Sequence, residues 1–172
     1  MNKNDPRFQR KFLRAPMKSA CLYIDGEYVF KARVLNISEG GILLSDFPHV
    51  PDINSLPLAI SLLQFPRMQN MTIDELKHLN KEDFPRIILK TKARMVRTFE
   101  GQGSVDKVFV NFIGCEFFNS TVEFKMEVFK YVETFAKNTI FLLSLFESLG
   151  NRNEQLELLR VVAHLLGYDR RM

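Results

Sequence analysis

The chain has 172 residues, of which 46% are hydrophobic and 26% are charged, a composition that predicts one folded domain with an appendage and excludes disordered and fibrous classes. Its formal net charge of +4 favours an anionic partner without choosing among phosphates, nucleic acid and lipid headgroups. The two cysteines have no metal-ligand spacing, so we expect free thiols. The N-terminus has no signal-peptide pattern, and the most hydrophobic stretch, residues 140–146, is too short to cross a membrane. We therefore expect a cytoplasmic protein with no membrane span.

The chain begins with a basic leader and continues as a series of strands. Six basic residues lie in the first eighteen positions against a single acidic residue: Lys3, Arg7, Arg10, Lys11, Arg14 and Lys18. Residues 19–24 and 28–35 are rich in β-branched and aromatic side chains, and the Asp25-Gly26 pair between them is typical of a hairpin turn. Residues 41–45 and 56–65 are predicted to form a third and a fourth strand.

Residues 66–85 interrupt the strand pattern with a helical insertion. Thr72 followed by Glu75 matches a capping box at the start of a short helix, which Pro85 ends. The strand pattern returns at residues 86–98 and 107–118, on either side of a glycine-containing turn. About six consecutive strands favour a small barrel or sandwich.

Residues 121–149 have the period of a helix, with two apolar stripes. We expect one stripe to cover the barrel: Val122, Met126, Phe129, Val132, Ala136, Ile140, Leu143 and Phe146. The other has the spacing of a coiled-coil seam with one polar position: Phe124, Val128, Tyr131, Phe135, Asn138, Leu142, Leu145 and Leu149. This second stripe favours a homo-oligomer through helix 121–149, although the last predicted helix, residues 154–166, would satisfy the same side chains by packing back as a hairpin.

Two short motifs and one strand give the sequence a family resemblance. Arg10 and Arg14 form an RxxxR pattern in the leader, and the run Asn36-Ile37-Ser38-Glu39-Gly40-Gly41 fits [D/N]xSxxG after the first hairpin. The run 112–117 looks like the last barrel strand of the same family. In this order and strand context the motifs resemble the PilZ family of cyclic di-GMP receptors.

The resemblance implies a mainly β fold with added helices. We expect a six-stranded antiparallel PilZ-type β-barrel in residues 1–120, with its basic switch segment at the N-terminus and the helical insertion at 66–85. Residues 121–172 then form a C-terminal extension of one long and one short helix. The insertion is extra to a minimal barrel of this family.

The chemistry of the motif residues fits cyclic di-GMP, which offers two phosphates and two guanine bases. The planar fork of Arg10 or Arg14 can bind phosphate, pair with guanine or stack on a base. Asn36 can accept from the guanine N–H edge, Ser38 can donate or accept beside it, and Gly41 permits a positive φ or close approach of the ligand to the backbone. The family resemblance implies these same roles. Two further basic residues are candidate auxiliary phosphate contacts: Arg7 and Lys11.

The leading hypothesis is therefore a bacterial cyclic di-GMP effector that acts without catalysis, cofactor or metal. Ligand would order the arginine segment against the barrel and so alter contacts with a protein partner that the sequence does not identify. Two alternatives remain open: a PilZ-like adaptor that has lost ligand binding, and a small nucleic-acid-binding β-barrel, for which the basic leader offers few interleaved aromatic residues. The three histidines and the acidic pairs form no catalytic constellation.

Overall fold

A computed structural model describes residues 11–47, 51, 54–102 and 109–165. Its six strands form a closed antiparallel barrel in the order β1-β2-β3-β6-β5-β4, which confirms the predicted architecture. The strands are β1 (Ala15–Asp25), β2 (Tyr28–Ser38), β3 (Gly41–Ser45), β4 (Ser55–Leu63), β5 (Arg86–Gln102) and β6 (Phe109–Phe118). The helices are α1 (Ile73–Lys77), α2 (Val122–Ser148) and α3 (Arg152–Leu165).

The first hairpin folds as its sequence predicts, but β1 begins earlier than expected. Gly26 adopts a φ of +62° in the tight turn, where a side chain would be strained. The strand begins at Ala15 rather than residue 19, because Ala15 and Met17 continue the alternation of buried and exposed side chains beyond a register shift between Pro16 and Ser19. The C-terminal part of the basic leader is therefore held directly against the barrel.

The insertion between β4 and β5 builds a second hydrophobic cluster beside the barrel. Thr72 and Glu75 form the predicted capping box at the start of α1. Two short 3₁₀ turns flank α1, at Met68–Asn70 and Lys81–Asp83. The buried members of the cluster come from the insertion, α2 and α3: Met68, Leu76, Phe84, Leu142, Leu158 and Leu165.

The expected orientation of α2 was wrong. The coiled-coil-like stripe faces inward: its first half packs on the barrel core and its second half on the insertion and α3. The large aromatic side chains of this stripe fill the space over the barrel, and α3 folds back over the rest in the hairpin arrangement left open above. The stripe expected to cover the barrel instead has five exposed members: Val122, Met126, Phe129, Ile140 and Leu143.

Asn138, the polar position of the inward stripe, forms hydrogen bonds with the start of the insertion, on which this part of the stripe is buried. Its Oδ1 accepts from the backbone N–H of Met68 at 3.0 Å and from Nε2 of Gln69 at 3.1 Å. Its Nδ2 donates to the carbonyl oxygen of Pro66 at 2.9 Å. The buried amide thus satisfies backbone groups of the insertion that the chain leaves without a partner in regular structure.

Both cysteines lie in the barrel core. Burial raises the pKa of the Cys21 thiol to about 12, with a smaller contribution from Cys115, and burial alone raises the pKa of Cys115 to about 12.

Among the described residues, no helix combines the length and the apolar character that crossing a membrane requires.

We expect Asn138→Ala to lower the free energy of unfolding by about 1–3 kcal/mol, because it leaves buried backbone groups of the insertion unsatisfied. Urea unfolding followed by circular dichroism measures the change. Asn70→Ala, at an exposed asparagine of the same insertion, is the matched control and should change stability by less than about 0.5 kcal/mol. Equal effects of the two substitutions would contradict the anchoring role of Asn138.

A second prediction concerns the thiols. Because the reactive species is the thiolate, and burial raises both pKa values to about 12, the native protein should react only slowly with a disulfide reagent at pH 8. Two thiols should react rapidly once denaturant is added. Rapid labelling of either cysteine under native conditions would show that the barrel core opens more readily than its packing indicates.

Candidate ligand-binding site

A pocket of about 210 Å³ lies across four neighbouring strands of the barrel, β2, β3, β6 and β5. It brings together residues that are far apart in the chain: Arg14, Asn36, Ser38, Gly40, Gly41, Ile42, Leu43, Val96, Arg97, Gly114, Cys115 and Glu116. Four of the residues predicted from the motifs, Arg14, Asn36, Ser38 and Gly41, are among them. Arg7 and Arg10 lie outside the described residues.

The pairing of β1 with β2 carries Arg14 to the pocket. Ala15 is paired with Ile37, so the residue before Ala15 lies beside the end of β2, where Ser38 begins the turn to β3. Arg14 is exposed, whereas Ala15 is fully buried and fixes the start of the strand. The second arginine of the RxxxR motif and the NxSxxG motif therefore meet through strand register.

The turn between β2 and β3 is closed by its own side chain. Ser38 pairs with Gly41 across the turn, and the Ser38 hydroxyl donates to the carbonyl oxygen of Gly41 at 3.3 Å. Ser38 is only 5% exposed, while Asn36 is half-buried on the same strand. Ser38 thus stabilises the turn locally, as serine often does, and still lines the pocket.

Gly41 is required by the neighbouring strand rather than by its own backbone angles. A Cβ at this position would overlap the carbonyl oxygen of Cys115 on β6. Its φ is not positive, so the first reason considered for a glycine here does not apply, and the close approach that the structure shows is that of β6 rather than of a ligand. The glycine lets β3 and β6 come together under the floor of the pocket.

Gly40 gives the leader a place to pack. A Cβ on Gly40 would lie 2.7 Å from the ring of Phe12, so the ring rests directly on the turn. The ammonium group of Lys11 lies 5.5 Å from the centre of the same ring. Lys11 does not line the pocket, and the structure places it instead over Phe12.

Arg97 is a pocket residue that the sequence motifs did not indicate. It pairs with Gly114 next to a register shift in β5, and a Cβ on Gly114 would lie 3.1 Å from Cγ of Arg97. The glycine thus leaves room for the arginine side chain to cross β6. Gly114 lies in the run 112–117 that was predicted to be the last strand, but the sequence does not give the register that pairs it with Arg97.

The pocket combines two guanidinium groups with one carboxylate. Arg14 and Arg97 can bind phosphate or guanine, and Glu116 can accept from N–H groups of a base. The raised pKa of Cys115 keeps its thiol protonated, which argues against a nucleophilic role. Within the described residues, no cluster of histidine, cysteine, aspartate and glutamate could hold a metal ion.

No protein-family model and no curated protein matches the chain. Among solved structures, it resembles the inhibitor of motility MotI from Bacillus subtilis, with a TM-score of 0.51 and 17% identity over 76% of this chain and 52% of that one. It also resembles the PilZ domain of YcgR from Escherichia coli with c-di-GMP, with a TM-score of 0.51 and 10% identity over 76% of this chain and 94% of that one.

A third similar structure is the complex of MrkH from K. pneumonia with c-di-GMP, with a TM-score of 0.51 and 11% identity over 77% of this chain and 54% of that one. The chain thus spans about half the length of MotI and MrkH and almost all of the isolated PilZ domain. At these identities the likeness establishes the fold. The closed six-stranded barrel of this chain has the PilZ-type fold.

Proposed function

We propose that this chain binds cyclic di-GMP in the pocket and signals by holding its N-terminal arginine segment against the barrel. The observation that carries the proposal is the convergence of Arg14 with Asn36, Ser38 and Gly41 in one pocket. Two similar structures, the YcgR PilZ domain and MrkH, were solved with c-di-GMP, which supports the choice of ligand. The protein would act as a receptor without catalysing a reaction.

The pocket offers complementary chemistry for a ligand that is both anionic and rich in guanine edges. Arg14 and Arg97 can form charge-assisted hydrogen bonds to phosphate oxygens or pair with guanine O6 and N7. Asn36 and Glu116 provide acceptors for the guanine N1–H and N2–H groups. A volume of about 210 Å³ is smaller than the usual range for a whole drug-sized ligand, so the leader before residue 11 is expected to complete the site.

The leader is attached at a point where ligand binding can change its position. Phe12 rests on Gly40, and Arg14 follows it into the pocket, so a ligand held by Arg14 and the turn would favour this packed arrangement of the leader. Arg10 and Arg7 precede Phe12 and would be drawn to the same anion. An ordered basic segment presents a new surface to a protein partner, which is a known form of signalling switch.

The Arg14→Ala substitution should weaken binding of cyclic di-GMP by about 10- to 100-fold, since a hydrogen bond to a charged group contributes about 1.5–3 kcal/mol. Calorimetric titration measures the change, with GTP as a nucleotide control. Arg160→Ala removes an exposed arginine from α3, outside the pocket, and should leave affinity unchanged.

The same titration separates the proposal from its alternatives. A ligand-free adaptor would give no heat and no thermal stabilisation with cyclic di-GMP. A nucleic-acid-binding barrel would bind single-stranded oligonucleotides with steep salt dependence and would not prefer the dinucleotide. Equal affinity of the Arg14→Ala and Arg160→Ala variants would place the ligand elsewhere on the molecule.

Arg97 provides an independent test because no motif selected it. We expect Arg97→Ala to weaken binding by about 10-fold or more, and Arg97→Lys to recover only part of the loss, because lysine keeps the charge without the planar fork. Full recovery by lysine would show that Arg97 acts as a point charge. No effect of either substitution would remove Arg97 from the site.

A further inference from the structure

The outward side of α2 carries apolar side chains that no other described element covers. Ile140 is 66% exposed and Phe129 is 47% exposed. These side chains form two groups on one helix face, one toward each end of α2. Isolated exposed apolar residues are common, whereas several on one helix face mark an interaction surface. The exposed apolar members are Val122, Met126, Phe129, Ile140 and Leu143.

The row has the spacing of a coiled-coil seam once its two central positions are included. Glu133 and Ala136 lie between Phe129 and Ile140, and the steps along the row then alternate between four and three residues. Val132, which is buried, is not part of it. We define the α2 seam as Val122, Met126, Phe129, Glu133, Ala136, Ile140 and Leu143, a row about 30 Å long at the rise of an α-helix.

We propose that the α2 seam binds a second copy of this chain in an antiparallel orientation. Centred between Glu133 and Ala136, that arrangement pairs large apolar side chains with one another: Phe129 with Ile140 of the second copy, and Met126 with Leu143 of the second copy. Each Glu133 then lies against the small Ala136, where its carboxylate can extend toward water. This interaction does not depend on the proposed ligand.

The central charges decide against the parallel alternative. A parallel pair in register would bury the two Glu133 side chains against each other inside the seam, which disfavours it because both carboxylates lose water, even with Lys137 beside each of them. It would also place the two Ala136 methyl groups opposite each other and leave a gap. The antiparallel pair avoids both problems.

The lysines that flank the antiparallel seam are already neutralised within each chain. Lys130 lies 2.7 Å from Glu127, and Lys137 lies 2.9 Å from Glu133. When Lys130 comes close to Lys137 of the second copy, each lysine is therefore already paired with a glutamate, and the repulsion between the two cations is reduced. Glu133 also comes within reach of Lys137 of the second copy, which adds a cross-chain attraction.

Sedimentation equilibrium of the full chain tests the seam, with a dimer expected at twice the 20.1 kDa chain mass. Ile140→Lys should raise the dimer dissociation constant by about 30-fold or more, because it places a charge in the buried row. Ile88→Lys is the matched control, since Ile88 is 61% exposed on β5, outside α2. Both variants should keep the wild-type circular dichroism spectrum.

Disulfide trapping tests the orientation, because both native thiols are buried. A mixture of Phe129→Cys and Ile140→Cys proteins, one of them carrying a mass tag, should form the mixed disulfide in preference to either homodimer. A dominant Phe129→Cys homodimer would overturn the antiparallel arrangement. A wild-type chain that stays monomeric well above micromolar concentration, or a dimer that Ile140→Lys leaves intact, would overturn the proposed interface.

Discussion

The antiparallel pairing of β1 with β2 is the interaction on which the candidate site depends. It extends to the Ala15–Ile37 pair, where both side chains are fully buried. Burying a side chain of the size of Ile37 stabilises the fold by about 1.5–3 kcal/mol. The register at this end of the hairpin is therefore fixed by the core. Because this register is fixed, the backbone of Arg14, one residue before the first pair, stays close to Ser38 as long as the strand is paired. The geometry of the pocket is thus set by the strands of the barrel.

A second constraint is the close approach of neighbouring groups to the backbone of three glycines around the pocket. Gly41 lets β3 approach β6, and Gly114 lets the side chain of Arg97 cross β6. Gly40 lets the ring of Phe12 pack on the turn between β2 and β3. The three glycines therefore serve three different neighbours, and a larger residue at each would disturb a different contact. Glycines in a strand or turn are expected to mark such approaches.

The sequence predicted the strands, the insertion and the capping box because each depends on local periodicity or turn chemistry. It predicted the wrong side of α2 to face the barrel, because both stripes are apolar and the helical period alone does not rank them. The inward stripe also carries Asn138, whose partners include backbone groups of the insertion, and no local pattern identifies those partners. Arg97 was not predicted for a related reason: its place in the pocket depends on the register of β5 with β6, which the sequence does not fix.

The pocket and the α2 seam lie on different elements, and a hydrogen bond connects α2 with β1 close to Arg14. The hydroxyl of Tyr131 on α2 donates to the carbonyl oxygen of Pro16 at 3.1 Å, two positions after Arg14. A neutral hydrogen bond contributes about 0.5–1.5 kcal/mol, so coupling carried by this bond alone could change affinity at the other site by at most about tenfold. Tyr131 belongs to the inward stripe, and its effect on the seam would require α2 to shift as a unit. The first half of α2 is also held by packing on the barrel, which includes Phe124 against Phe117, and its second half packs on the insertion and α3. Both contacts oppose such a shift. Ligand binding and self-association are therefore expected to be nearly independent, with the leader rather than α2 carrying the response to ligand.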